Sequence, residues 1–211
     1  MDGSAEAREA HKGKTTVNPA LSDTTIGVIG SGHDAHELLA RDVGQLLADL
    51  EVNLLTGGGG GVMEAVSRAF TEARRRMGVC IGIIPCSEAD PSRPKDGYPN
   101  QFVELPIYTH LPLSGERGQD SLSRNHINVL SSAAIIALPG QAGTASEVSL
   151  ALRYRKPVIV YSPDGALVQH FPHAIQRATS VDDVRRFLAE FLPGPHRGRH
   201  TIGVTFPPAR P

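Results

Sequence analysis

The chain has 211 residues, of which 40% are hydrophobic and 20% charged, so one globular domain with a sizeable core is the expectation. Its 21 Lys and Arg nearly balance 22 Asp and Glu, and the formal net charge of −1 disfavours nucleic acid or an anionic membrane as partners. Two cysteines, Cys80 and Cys86, are too few for a disulfide framework. We therefore expect a cytoplasmic protein without a signal peptide or a membrane helix.

Apolar runs typical of buried strands alternate along the chain with amphipathic helical patterns. The predicted strands cover 24–30, 52–56, 79–84, 134–138 and 157–161, and the predicted helices cover 38–50, 62–70, 119–132, 144–154 and 180–191. The proline-rich stretch 85–112 is predicted to be a long irregular connection with an extended piece at 102–105, and 201–206 to be an edge strand.

This alternation predicts an α/β fold, namely a Rossmann-like, doubly wound parallel sheet in a single domain. We expect the domain to span 23–193, between disordered tails at 1–22 and 194–211. Ligands of such sheets bind beyond the carboxyl ends of the strands, and three glycine-rich turns are predicted there.

The first of these turns follows the first predicted strand and contains Gly30 and Ser31. It fits the loose dinucleotide pattern GxGxxG/A, which would place a phosphate at a helix N-terminus. A dinucleotide site also needs an acidic residue at the end of the second strand, and that strand ends at Thr56. We therefore exclude NAD; the turn either contacts another ligand or only permits a tight bend.

The second turn is a run of five glycines, Gly57, Gly58, Gly59, Gly60 and Gly61. Ordering five glycines costs much backbone entropy, so the run indicates that something approaches the backbone closely. Bare amides at a helix N-terminus favour an oxyanion such as phosphate. No GK[ST] follows, which excludes a P-loop ATPase. The alternative is close packing of helix on sheet alone.

The third turn contains Gly140 and Gly143 and leads into Thr144 and Glu147. Its amides would form a second anion site at the same edge of the sheet. Thr144 and Glu147 also have the spacing of a capping box, in which Glu147 would bond only to the backbone. The sequence leaves open whether Glu147 is a cap or a site residue.

Arg124, Asn128 and Ser131 share one face of the predicted helix 119–132, whose apolar stripe includes Leu122 and Leu130. That polar face borders either solvent or a pocket. An arginine beside two phosphate cradles suits bidentate binding of an oxyanion.

Histidines occur in three closely spaced pairs, at 33 and 36, 170 and 173, and 196 and 200. None of the pairs is accompanied by a cysteine pair or an HExxH motif, so we predict no metal site. A GxSxG nucleophile elbow is also absent from the sequence.

Three segments together resemble one superfamily: 54–65 around the glycine run, 123–128 around Arg124, and 139–147 around the third turn. In these motifs the chain is similar to the superfamily that joins the lysine decarboxylase-like LOG proteins with the molybdenum cofactor carrier proteins. The resemblance implies a Rossmann-like homo-oligomer, dimer or tetramer, that binds a phosphorylated, nucleotide-like ligand at the glycine turns. It implies no required cofactor, with molybdenum cofactor as a ligand that is carried.

The same resemblance leaves two functions open. In LOG enzymes an Arg and a Glu at the positions of Arg124 and Glu147 assist hydrolysis of the N-glycosidic bond of nucleoside 5′-monophosphates. The LOG pattern has Lys where this chain has Asn125, and Gly where it has Gln141. The run 124–132 looks closer to the cofactor carriers, so a carrier is the leading hypothesis and a phosphoribohydrolase the alternative.

A pyridoxal-dependent decarboxylase needs a lysine in its pocket, and the chain has only four, Lys12, Lys14, Lys95 and Lys156. Of these only Lys95 lies in a loop where a pocket is predicted. We therefore do not expect lysine decarboxylase activity. The stretch 86–118 is the expected determinant of base or pterin specificity.

Overall fold

The computed structural model describes residues 22–165, 171 and 175–192. The predicted edge strand 201–206 and most of both predicted tails lie outside these residues. In chain order the elements are β1 Thr25–Ile29, α1 Glu37–Asp49, β2 Asn53–Thr56, α2 Val62–Thr71, β3 Cys80–Ile84, β4 Leu105–Tyr108, α3 Asn125–Ser131, β5 Ala134–Ala137, α4 Ala142–Arg153, β6 Val158–Tyr161, β7 Gln176–Ala178 and α5 Val181–Ala189.

The described strands form one parallel sheet of seven strands in the order β4-β3-β2-β1-β5-β6-β7. The predicted Rossmann-like α/β fold is thereby confirmed. The chain order reverses between β1 and β5, which makes the carboxyl ends of these two strands the topological switch point of the sheet. A ligand crevice is therefore expected beside Gly30 and Leu138, the residues that follow them.

Helices cover both faces of the sheet, which explains why the strands are apolar throughout. One core cluster joins α1, α2 and α5 to the sheet, with Leu47, Phe70 and Leu188 among its fully buried members. A second cluster on the opposite face includes Val129 of α3 and Leu150 of α4. No helix in the described ranges has the length and apolar character needed to cross a membrane.

The predicted helix 119–132 is wrong in its first part, because α3 begins only at Asn125. The preceding residues are held as a loop: Leu113 accepts a hydrogen bond from the Arg124 amide and donates one to the Leu122 carbonyl. The predicted apolar stripe holds at Val129, which is fully buried, and fails at its two ends, since Leu122 and Leu130 are 52% and 50% exposed. Ser131 is also exposed, so it does not share the buried surroundings of Asn128.

The predicted extended piece 102–105 is displaced, since β4 spans Leu105–Tyr108. The residues before β4 have other partners. The Asn100 amide donates to Gly58 O, and the Glu104 carboxylate accepts from Cys80 N and pairs with Arg76. The short strand β7 was not predicted, because Gln176–Ala178 lacks the apolar run on which the other predictions rested.

Candidate functional site

A cleft of about 670 Å³ lies at the switch point of the sheet. The turns that follow β1, β2 and β5 all contribute residues to its lining, so the three glycine-rich turns meet as expected. The first and third turns are also joined directly, because the Ser31 amide donates to Pro139 O at 3.1 Å. The cleft therefore sits where the loops of several parallel strands converge, as in other open α/β sheets.

The five-glycine turn forms the approach to α2. Gly61 has a φ of 62°, and a Cβ there would overlap the backbone of Ser31, so glycine is required at this position. Its neighbours are fixed by side chains: Thr56 Oγ1 accepts from the Gly58 amide at 3.0 Å, and Asn100 Nδ2 donates to Gly59 O at 2.8 Å. Within the described chain, the amides of Gly59, Gly60 and Gly61 donate to no protein acceptor.

The start of α4 supplies a second set of amides. Residues 141–144 all border the cleft, and none of their amides has a protein acceptor among the described residues. Of the two alternatives left open for Glu147, the capping box with Thr144 is not formed: α4 begins at Ala142, Gln141 is its N-cap, and no side chain caps it. Thr144 and Glu147 both lie inside the helix, so the Glu147 side chain is not used as a cap.

Arg124 lies at the bottom of the cleft with its side chain 5% exposed. Its guanidinium rests on the backbone of Gly57, where a Cβ would overlap Nη1 and Nη2. Nη2 lies 4.0 Å from the Met63 sulfur, a weak partner, and Nε and Nη1 have no hydrogen-bond partner among the described residues. A buried cation therefore stands beside two groups of free amides.

Glu147 is the buried carboxylate of the cleft, and its residue is 8% exposed. Its Oε1 accepts a hydrogen bond from Asn128 Nδ2 at 3.0 Å and lies 3.9 Å from Arg124 Nη1. Burial raises the pKa of the Glu147 carboxyl above its ordinary value, while the charge of Arg124 and the hydrogen bond from Asn128 act to lower it. The Arg124 charge and the Asn128 hydrogen bond therefore offset only part of the free energy that it costs to bury the charged Glu147 carboxylate.

Buried side-chain atoms without a hydrogen-bond partner concentrate at this cleft. In the described ranges they are Arg124 Nε, Arg124 Nη1, Asn125 Oδ1, Asn128 Oδ1, Thr144 Oγ1 and, away from the cleft, Ser67 Oγ. Native proteins leave few buried polar atoms unpaired, and such atoms call for a partner or a functional reason.

The predicted site residues divide into two groups. Those that line the cleft are Gly30, Ser31, Gly57, Gly60, Arg124, Gly143, Thr144 and Glu147. Gly58, Gly59, Gly61, Gly140 and Asn128 support this lining from behind: Gly58 and Gly59 bond to Asn100, and Asn128 bonds to Glu147.

Sequence reasoning did not assign several other lining residues, among them Met63, Lys95, Asp96, Tyr98, Glu116 and Asn125. Lys95, Asp96 and Tyr98 lie in the irregular connection between β3 and β4, and Glu116 lies in the segment between β4 and α3. They fall within 86–118, the stretch expected to set ligand specificity, but no pattern marked them individually. Met63 is the second residue of α2, and the sequence pattern there indicates an ordinary core position.

Among the described residues, no three His, Cys, Asp or Glu side chains are grouped so that they could hold a metal ion. Of the three histidine pairs, only His33 and His36 fall in the described ranges, and His33 borders the cleft.

These features define a Rossmann-like protein with a polar cleft at its switch point, lined by two helix N-termini, a buried arginine and a buried glutamate. The model of the SLOG cluster4 family matches residues 23–188, and the chain belongs to this family.

Proteins similar to this chain include an uncharacterized protein from Archaeoglobus fulgidus, which is 36% identical over 140 residues, or 65% of this chain and 80% of that protein. The fold is similar to that of the molybdenum cofactor binding protein from Rippkaea orientalis, with 31% identity and a TM-score of 0.61 over 81% of this chain and 98% of that one. It is also similar to the molybdenum cofactor carrier protein from Chlamydomonas reinhardtii, with 28% identity and a TM-score of 0.54 over 79% and 98% of the two chains.

Proposed function

We propose that this chain binds and carries a phosphorylated, nucleotide-like small molecule, with molybdenum cofactor as the first candidate. The observation that carries the proposal is the group of unpaired, buried polar atoms on Arg124, Asn125 and Thr144, three residues that line one cleft. Leaving each such atom unpaired costs about 1–3 kcal/mol, and more for a charged group. A ligand that pairs with these atoms would recover that free energy.

The donors in the cleft favour an anionic group. Gly60 and residues 141–144 border the cleft at two helix N-termini, where the partial positive charge of their free amides favours an anion. The unpaired Nε and Nη1 of Arg124 add a charged donor with the planar geometry that suits a phosphate. We assign the glycine turns and Arg124 to the phosphate group of the ligand.

The size of the cleft favours a larger organic group attached to that phosphate. At about 670 Å³ the cleft falls within the range of about 300–1,000 Å³ that is typical of small-molecule sites. Tyr98 lies on its lining and supplies an aromatic ring that suits a planar base or pterin. A phosphorylated pterin fits this combination of a polar floor and an aromatic side.

Two relatives of known structure support the carrier role, since they are described as a molybdenum cofactor binding protein and a molybdenum cofactor carrier protein. By the same relationship we propose a cytoplasmic homo-oligomer whose partner is a small molecule rather than nucleic acid or a membrane.

The proposal is tested by purifying the full chain from a host that makes molybdenum cofactor and measuring pterin released on denaturation. We expect close to one pterin for each chain, and a large loss of pterin in Arg124→Met. Arg117→Met is the matched control, because Arg117 is exposed and pairs with Asp120 outside the cleft. Absence of pterin, together with no affinity for a phosphorylated pterin, would contradict the carrier role.

A second candidate is a phosphoribohydrolase of the LOG type. The observation that favours it is that Arg124 and Glu147 lie 3.9 Å apart on the floor of one cleft. In that reaction Glu147 would stabilise an oxocarbenium-like transition state or position water. Incubation with AMP tests it directly: release of adenine by the wild type and its loss in Glu147→Gln would favour the enzyme over the carrier.

A further inference from the structure

Asn125 is the lining residue whose side chain the proposed phosphate contacts do not use. It follows Arg124 directly, is the first residue of α3, and is 2% exposed. Its Nδ2 lies 3.4 Å from Ser146 Oγ, whereas its Oδ1 has no hydrogen-bond partner among the described residues.

The surroundings of Ser146 fix the orientation of the Asn125 amide. The Ser146 hydroxyl has a single proton, and two carbonyl oxygens compete for it, Gly143 O at 2.8 Å and Gly115 O at 3.1 Å. Toward Asn125 the hydroxyl oxygen can therefore act only as an acceptor, and the amide must present its nitrogen to it. Exchanging the amide nitrogen and oxygen would place two acceptors against each other.

Asn125 lines the cleft, and its amide oxygen is consequently the side-chain atom left without a partner among the described residues. Apart from the Glu147 carboxylate, the groups on the floor of this cleft, namely the Arg124 guanidinium and the helix amides, are donors. An amide oxygen would gain nothing from the dianionic phosphate group of a monoester, which offers only acceptors. It requires an N–H or O–H group on the ligand.

We infer that the Asn125 amide oxygen accepts a hydrogen bond from the organic part of the ligand. The site therefore selects phosphate esters that bear an N–H or O–H group beside the phosphate. The inference rests on the proposed phosphate site and deepens it. Asn125 is then a specificity-determining residue: it adds affinity for donor-bearing phosphate esters and none for the phosphate group itself.

The test compares four probes at about pH 8, where each phosphate is mainly a dianion. Sulfate and tetrahydrofurfuryl phosphate offer no N–H or O–H donor. Ribose 5-phosphate supplies hydroxyl donors, and 6-hydroxymethyl-7,8-dihydropterin phosphate supplies N–H donors. Dissociation constants are measured by calorimetry for the wild type, for Asn125→Ala and for a control, Asn53→Ala.

We expect Asn125→Ala to weaken one or both donor-bearing probes about tenfold and to change the other two less than about twofold. The probe whose binding becomes weaker shows whether the donor that Asn125 recognises is an N–H or an O–H group. Asn53 is a matched control, because it is also a buried asparagine with side-chain hydrogen bonds but lies at the opposite end of the sheet, beside Ser22 and Thr25. Removal of the Asn53 side chain is expected to lower the melting temperature and to leave the ratio of the affinities for the four probes unchanged.

Equal weakening of all four probes in Asn125→Ala, or no weakening of any, would overturn the inference and leave the phosphate site standing. If no probe binds to the wild type, the phosphate site and the inference both fail. A change in the affinity ratio in Asn53→Ala equal to that in Asn125→Ala would also overturn the inference. The loss of selectivity would then come from general destabilisation of the protein and not from the Asn125 side chain.

Discussion

Arg124 Nη1 and Glu147 Oε1 lie 3.9 Å apart, close enough for electrostatic attraction and too far for a hydrogen bond. The arginine is therefore held near a carboxylate without a hydrogen bond to it, and its Nε and Nη1 have no hydrogen-bond partner in the described chain. This separation is the physical basis of the anion site that we propose, and of the first two predictions.

Removal of the Arg124 charge is expected to weaken anion binding strongly. Arg124→Met retains much of the buried volume but loses the charged donors, so the affinity for phosphate should fall at least about tenfold. Isothermal titration with inorganic phosphate measures this, with Arg117→Met as the exposed control. A loss in the control as large as that in Arg124→Met would mean that the effect comes from net charge and not from the cleft.

The raised pKa of Glu147 predicts a pH dependence of stability. A carboxyl whose folded-state pKa is raised contributes stability below its unfolded value, and that stability is lost as the pH rises through the folded pKa. The free energy of unfolding should therefore fall less steeply from about pH 5 to about pH 8 in Glu147→Gln than in the wild type. Urea denaturation at several pH values measures it, and parallel curves for the two proteins would contradict it.

The same carboxylate is expected to oppose anion binding at neutral pH. Sulfate keeps its charge across this range, so its affinity should rise as the pH falls through the raised pKa of Glu147. The other titratable groups on the cleft are His33, Lys95, Asp96, Tyr98, Glu116 and Arg124, and they remain in Glu147→Gln. The difference between wild type and variant therefore isolates Glu147, and identical pH profiles would rule out its contribution.

Gly57 and Gly60 form a matched pair within one turn. A Cβ at Gly57 would overlap the Arg124 guanidinium, whereas a Cβ at Gly60 would meet nothing nearer than Gly32 O at 3.5 Å. Gly57→Ala should cost about 1–3 kcal/mol of unfolding free energy through overpacking, and Gly60→Ala less than about 0.5 kcal/mol. Chemical denaturation of both variants checks this. Equal costs would mean that the position of Arg124 does not depend on Gly57.

Thr144 and Ser180 contrast a cleft hydroxyl with a capping hydroxyl. Ser180 Oγ accepts from the Asp183 amide in a complete capping box at the start of α5, whereas Thr144 Oγ1 is buried without a partner. Ser180→Ala should cost about 1 kcal/mol of stability. Thr144→Val should cost none, because it replaces an unpaired buried hydroxyl with a methyl group of the same shape, and it should weaken phosphate binding. A destabilised Thr144→Val that binds normally would restore a structural role for this hydroxyl.

The sequence predicted the parallel sheet and the convergence of its three glycine turns, because buried strands and their bounding glycines leave strong local patterns. The spacing of a capping box occurs both at Ser180 and Asp183 and at Thr144 and Glu147, yet only the first pair forms one. The difference is tertiary: Asn128, from another helix, holds the Glu147 carboxylate. No local pattern contains that contact.

The start of α3 escaped prediction for a similar reason. Leu113 bonds to the backbone of Leu122 and Arg124, so the loop before the helix is fixed by a residue about ten positions earlier in the sequence. Lys95, Asp96 and Tyr98 likewise lie at the cleft because of the irregular path between β3 and β4, which a sequence without periodicity does not specify.

The most direct measurement of the central claim is a crystal of the full chain soaked in tungstate, an electron-dense substitute for phosphate. We predict one strong anomalous peak in the cleft, within hydrogen-bonding distance of Arg124 and of amides from both Gly59–Gly61 and the first turn of α4. A cleft that stays empty while tungstate binds elsewhere, or a peak that contacts neither helix start, would contradict the account.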